Sequence, residues 1–71
     1  MNLYLRILAD AQKAPCYLNT PEDRDRLDAG SVGALGYSVS LLEERGLLTS
    51  GFTGWTLTDA GAECLAKAAD E

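Results

Sequence analysis

Residues 36–61 read GYSVSLLEERGLLTSGFTGWTLTDAG, and this stretch decides the fold. With Leu35 just ahead of it, Val39 and Leu42 complete an i, i+4, i+7 series, the spacing that sets apolar side chains on one face of a helix. The spacing predicts a helix over Ser31–Arg45, with these three residues as its buried seam, Val32 nearby and Ser31 as its cap. Gly33 and Gly36 each weaken its first turns by about 1 kcal/mol relative to alanine. Gly46 stops the helix, because glycine takes the left-handed conformation freely, and Leu47 can then fold back onto Leu42. Leu47 and Leu48 begin a strand, Ser50–Gly54 makes a turn, and Trp55-Thr56-Leu57 returns with large apolar and polar residues alternating, which is a β-hairpin. Thr58 caps a last helix from Asp59 to about Ala69, with Ala62, Leu65, Ala66 and Ala69 as its apolar face.

Upstream, Leu3, Tyr4, Ile7, Leu8 and Ala11 recur at helical spacing, predicting a helix from Asn2 to about Lys13 with Arg6, Asp10 and Lys13 on its opposite side. Leu5 falls at the edge of that stripe, so the apolar face is wider than one packing partner needs; a core or a dimer contact would account for it. Pro15 ends the helix, and Cys16-Tyr17-Leu18 reads as a short extended piece. Thr20 offers an N-cap hydroxyl, Pro21 suits the first helical position, and Glu22 and Asp23 suit the positive end of the dipole of a short helix from Pro21 to about Asp28. Ala29-Gly30 supplies a turn. The expected fold is mostly α with a small β-hairpin, in a single domain over residues 1–71.

Seventy-one residues leave room for one core and no separate catalytic domain. A domain of this size buries only about 60% of the surface its unfolded chain exposes, so the core must be efficient. There is no apolar run long enough to cross a bilayer, and MNLYLRIL lacks the basic start and cleavage site of a signal peptide, so a cytoplasmic location is expected. Cys16 and Cys64 lie far apart in a chain without histidine, which predicts two half-buried thiols packed as small hydrophobes and no metal site. The missing histidine also removes the usual general base; no catalytic residue and no cofactor is expected. Asp23, Asp25 and Asp28 alternate with Arg24 and Arg26 and read as a solvated helix face.

The string LLEERGLL, Leu41–Leu48, followed by GWTLTDAG, Gly54–Gly61, resembles the winged helix-turn-helix family of bacterial, archaeal and phage regulators, and the order of elements extends the likeness over nearly the whole chain. The resemblance implies a winged-helix fold in which Ser31–Arg45 is the recognition helix and Thr49–Gly54 the wing. It also implies DNA-reading positions at Gly33, Ala34, Gly36, Tyr37, Ser38, Ser40 and Leu41. None of the seven is basic, and the wing carries no lysine or arginine either.

Duplex DNA is held largely by lysine and arginine that displace counterions from phosphates. This chain has six, Arg6, Lys13, Arg24, Arg26, Arg45 and Lys67, against eleven carboxylates, for a net charge of −5 that repels a polyanion at long range. The leading expectation is therefore a binding module that acts on protein, either itself in a homodimer or a larger partner, through Ala34, Tyr37, Leu41 and Phe52. Small phage or plasmid proteins of this acidic kind offer a parallel, occupying nucleic-acid-handling machinery with carboxylates such as Glu22, Asp23, Asp25, Asp28, Glu43 and Glu44 in place of phosphates. The alternative is a DNA-binding regulator, with Ser31, Ser38, Ser40 and Thr53 as its phosphate donors. Tyr37 and Leu41 have a second reading as ordinary core beneath the first or second helix, and Phe52 a second reading as a fold-back onto the domain. Trp55 reads as core.

Overall fold

The computed structural model describes the backbone of residues 2–70 and the side chains of residues 2–68. Four helices, α1 (Leu3–Lys13), α2 (Pro21–Leu27), α3 (Val32–Glu44) and α4 (Asp59–Asp70), surround a two-stranded antiparallel hairpin of β1 (Leu48–Gly51) and β2 (Gly54–Leu57). The molecule is thus mostly α with a small hairpin inserted before its last helix. α1 is the central element and packs on α2, α3, α4 and β2. Ile7, Leu8, Leu18, Leu27, Leu35, Val39, Leu42, Leu48 and Leu65 form one buried cluster, so every helix contributes at least one large side chain.

Most helix ends follow from local chemistry. Asn2 caps α1 by accepting from the Leu5 N–H. Thr20 accepts from the Asp23 N–H while the Asp23 carboxylate accepts from the Thr20 N–H, a reciprocal capping box, with Pro21 in the first turn. Ser31 accepts from the Ala34 N–H and starts α3 despite Gly33 and Gly36. At the other end of α3, Gly46 has φ +77°; its N–H donates to the Glu43 carbonyl at 2.9 Å and the Leu47 N–H donates to the Leu42 carbonyl at 2.9 Å. These two bonds satisfy carbonyls that a helix end would otherwise leave open.

Several expectations are corrected. Cys16–Leu18 is not a strand: Cys16 alone bridges to Trp55, whose N–H donates to the Cys16 carbonyl at 3.0 Å, and Leu18 turns the chain away with φ +58° while its side chain plugs the core. The hairpin turn is shorter than Ser50–Gly54, because Gly51 pairs with Gly54 and only Phe52 and Thr53 lie between. Helix α2 ends where expected, its last residue Leu27 and its C-cap Asp28, which lies in the left-handed region. Opposite the apolar stripe of α1, Arg6 and Asp10 meet α2: Arg6 donates to the Leu27 carbonyl at 2.7 Å and Asp10 pairs with Arg26. On α4 the inward face is Gly61 and Leu65 with half-buried Ala62 and Cys64, whereas Ala66 is exposed; the side chain of Ala69 lies outside the described residues. Trp55 is half-buried against the core.

Candidate functional site

The core seam of α3 determines what its other side presents. With Leu35, Val39 and Leu42 turned inward, Gly33, Ala34, Gly36, Tyr37 and Ser40 face out. Tyr37 is 67% exposed, so its core reading is overturned: neither α1 nor α2 reaches that side of the helix. Leu41 is half-buried, on the flank of α3 nearest α1. Ala34, Tyr37 and Leu41 therefore share one side of α3, at i, i+3 and i+7.

Phe52 stands apart from them at the tip of the hairpin. It is 99% exposed, which overturns the fold-back reading; a two-residue loop holds it out beyond the reach of the core. The tip is braced from below by Tyr17, whose hydroxyl donates to the Phe52 carbonyl at 2.8 Å. Tyr17 had no assigned role in the sequence, and only the fold brings it within reach of the tip.

Of the four candidate phosphate donors, two are engaged elsewhere. Ser31 is occupied as the α3 cap, and Ser38 is buried, its hydroxyl donating to the Ala34 carbonyl at 2.9 Å. Ser40 and Thr53 are exposed.

The cations are dispersed, and three of them are neutralised within the chain. Arg24 pairs with Asp25 at 2.9 Å, Lys67 with Glu63 at 3.6 Å, and Arg26 with both Asp10 at 2.9 Å and Asp23 at 2.8 Å. The hydrogen bond to Asp10, helped by the one to Asp23, raises Arg26 further above its ordinary value against the cost of burial. Asp23 contradicts the solvated-face expectation: it is 5% exposed. Burial pushes its carboxyl up, but hydrogen bonds from the Thr20 hydroxyl, Arg26, Cys16 and the Thr20 N–H together outweigh that and hold it below the ordinary carboxylate range. Its position three residues after a threonine cap was the available signal. From Val32 to Leu42, and again from Gly46 to Thr58, the chain has no charged residue at all. The outward face of α3 as far as Leu42, and the hairpin, therefore carry no charge.

Two depressions indent the surface. One, of about 220 Å³, lies between the start of α1, the end of α3 and α4; Tyr4, Leu5, Leu8, Leu41, Leu42, Leu47 and Cys64 line it, with Asn2 and Arg45 contributing polar groups. Leu5, the residue left over from the α1 stripe, is part of its wall. The other, of about 230 Å³, is more open and is lined by Arg6, Ala9, Asp10, Lys13, Arg26 and Leu27. Both cysteines are half-buried free thiols, Cys16 donating weakly to Asp23 at 3.5 Å. Among the described residues no group of three or more histidine, cysteine, aspartate or glutamate side chains is placed to hold a metal ion, and no helix is long and apolar enough to cross a membrane.

Comparisons with protein-family models, with curated proteins and with solved structures find no match to this chain.

Proposed function

We propose that this chain is a winged-helix module, with α3 in the place of the recognition helix and the hairpin as its wing, and that it works by binding protein rather than by catalysis or by gripping DNA. The order of elements and the two motifs quoted above support the winged-helix reading. One observation carries the functional reading: Tyr37 on α3 and Phe52 at the hairpin tip are large exposed aromatic side chains, each within a stretch of chain, Val32–Leu42 and Gly46–Thr58, that holds no cation. Aromatic residues are enriched, and charged ones depleted, at the centres of protein interfaces, whereas DNA contacts draw on lysine and arginine. Glu22, Asp25, Asp28, Glu43 and Glu44 are exposed and remain available to oppose a basic partner surface; buried Asp23 leaves that set.

Two measurements test this. Retardation of random duplex DNA at low ionic strength should be absent; micromolar binding that weakens steeply with salt would instead establish a gene regulator. Capture of a partner from host lysate should be lost in Tyr37→Arg while the variant stays folded.

A further inference from the structure

The depression between the start of α1, the end of α3 and α4 is divided by polarity. Its floor is apolar, with Leu8 and Leu42 buried and Leu5, Leu41 and Leu47 half-buried around them. Its polar groups stand at the rim, where Asn2 and Arg45 are exposed. Among the described residues Arg45 is the one charged group of the lining, and no carboxylate shares it. Unlike Arg24, Arg26 and Lys67, Arg45 makes no ion pair among them either.

An occupant has to match that division. The leucine floor suits a hydrocarbon body, and the guanidinium, a planar fork, takes a carboxylate through two parallel hydrogen bonds. Asn2 uses its side-chain oxygen to accept from the Leu5 N–H, so what it can offer an occupant is its amide NH2, again a donor. Size sets a second limit: at about 220 Å³ the depression falls short of the roughly 300 Å³ at which drug-sized sites begin, so the body is short. Net charge sets a third. At −5 the chain repels a polyacidic macromolecule at long range, whereas a molecule with a single carboxylate is repelled far less.

We propose that this depression binds a free aliphatic carboxylate of about the size of octanoate, its carboxylate on Arg45 and its hydrocarbon chain against Leu5, Leu8, Leu41 and Leu42. Hydrocarbon removed from water supplies the affinity, and Arg45 the preference for an anionic head. The site goes beyond the protein-binding reading and does not depend on it, since neither Tyr37 nor Phe52 lines the depression.

Amide NMR of the isotope-labelled full chain, titrated with octanoate and with octanol and octylamine as head-group controls, tests this. Octanoate should shift the amides of Leu5, Leu41, Leu42 and Arg45 saturably, with a Kd of about 1 mM or tighter, and leave those of Phe52 and Thr53 in place. Octanol and octylamine should each bind at least about tenfold more weakly. Arg45→Gln, a change at an exposed position, should weaken octanoate about tenfold and leave octanol unchanged, with the remaining amide signals showing that the fold is kept. The absence of saturable shifts up to about 10 mM octanoate overturns the proposal. So do equal affinities for octanoate and octanol, shifts that gather at Tyr37 and Phe52 instead, or an Arg45→Gln chain that binds octanoate as the wild type does. Partner capture and its loss in Tyr37→Arg are read separately, so either reading can fail while the other stands.

Discussion

The Thr58 hydroxyl donates to the Gly46 carbonyl at 2.6 Å while accepting from the Gly61 N–H at 3.0 Å, and the Thr58 N–H donates to the Leu47 carbonyl at 3.2 Å. One residue therefore caps α4 and ties it to the glycine turn that ends α3, across twelve positions of sequence. This explains in physical terms why a glycine-leucine helix stop and a leucine-threonine helix start occur together in this chain. Thr58→Ala removes the cap, while water takes over the exposed Gly46 carbonyl, at an expected cost of about 0.5–2 kcal/mol. Thr58→Ser keeps the hydroxyl and should recover most of it. Urea denaturation of both variants checks the ordering.

Glycines divide into two classes with opposite predicted signs. A Cβ on Gly54, which has φ +138°, would come within 2.5 Å of the Cys16 backbone, and one on Gly61 would fall onto the Leu47 carbonyl oxygen. Neither obstacle is a flexible side-chain end, so Gly54→Ala and Gly61→Ala should each cost about 3 kcal/mol or more, enough to unfold a small domain in part. Gly36 sits in α3 with nothing within 4 Å of the same construction. Gly36→Ala should stabilise by about 0.5–1 kcal/mol, raising Tm by about 2–8 °C. Thermal melts of the three variants measure both signs.

Local chemistry was largely legible and tertiary context was not. Thr20-Pro21, Ser31, Gly46 and Thr58 act on backbone groups within a few residues, so their residue types alone placed four helix ends. The seam of Leu35, Val39 and Leu42 was equally plain from spacing. By contrast, the burial of Asp23 depends on Arg26 and Cys16 closing over it, and the contacts of Arg6 and Asp10 depend on where α2 packs. At the candidate site, periodicity alone did not decide whether Tyr37 is core or surface, because that turns on how far α1 and α2 extend around α3. The depression lined by Leu5, Leu41 and Arg45 was unforeseen as a unit, since three separate helices build it.

Acid should weaken the Asp23 network. Its carboxyl titrates below the ordinary value in the folded chain, so the unfolded state binds the proton more readily. The stabilisation is therefore fully present above about pH 4, the ordinary aspartate range, and is lost as pH falls through the folded value. Asp23→Asn removes the charge that Arg26 faces, while its amide oxygen still accepts one hydrogen bond; a loss of about 1–2 kcal/mol is expected at neutral pH, discounted for the half-exposed guanidinium. The gap between wild type and variant should narrow as the pH falls below 4 or so. Stability measured by urea at stepped pH reads this out, and a gap that stays constant into acid would show that the charge contributes nothing.

Tyr17 offers a direct test of how rigidly the tip is held. Its hydroxyl is the tip's side-chain tether, to the Phe52 carbonyl at 2.8 Å, and it is exposed enough for water to replace it. Tyr17→Phe should cost only about 0.5–1 kcal/mol, with faster hydrogen exchange at the hairpin tip and none of that change in α3. Partner capture that weakens in step would mark the position of Phe52, and not merely its presence, as part of recognition.

Phe52 and Tyr37 themselves should separate folding from binding. Neither packs into the buried cluster, so replacing them with serine removes almost no buried apolar area. Stability should change by no more than about 0.5 kcal/mol, the range for surface substitutions. Exposed aromatic side chains that fold no core stay costly in water, and the double variant should be more soluble than the wild type. If the pair forms the binding surface, partner capture falls by more than about tenfold while the melting curve stays in place, since aromatic anchors commonly carry 2 kcal/mol or so of an interface. A double variant that melts early would place these side chains in the core after all, and one that binds undiminished would remove α3's outward face from the site.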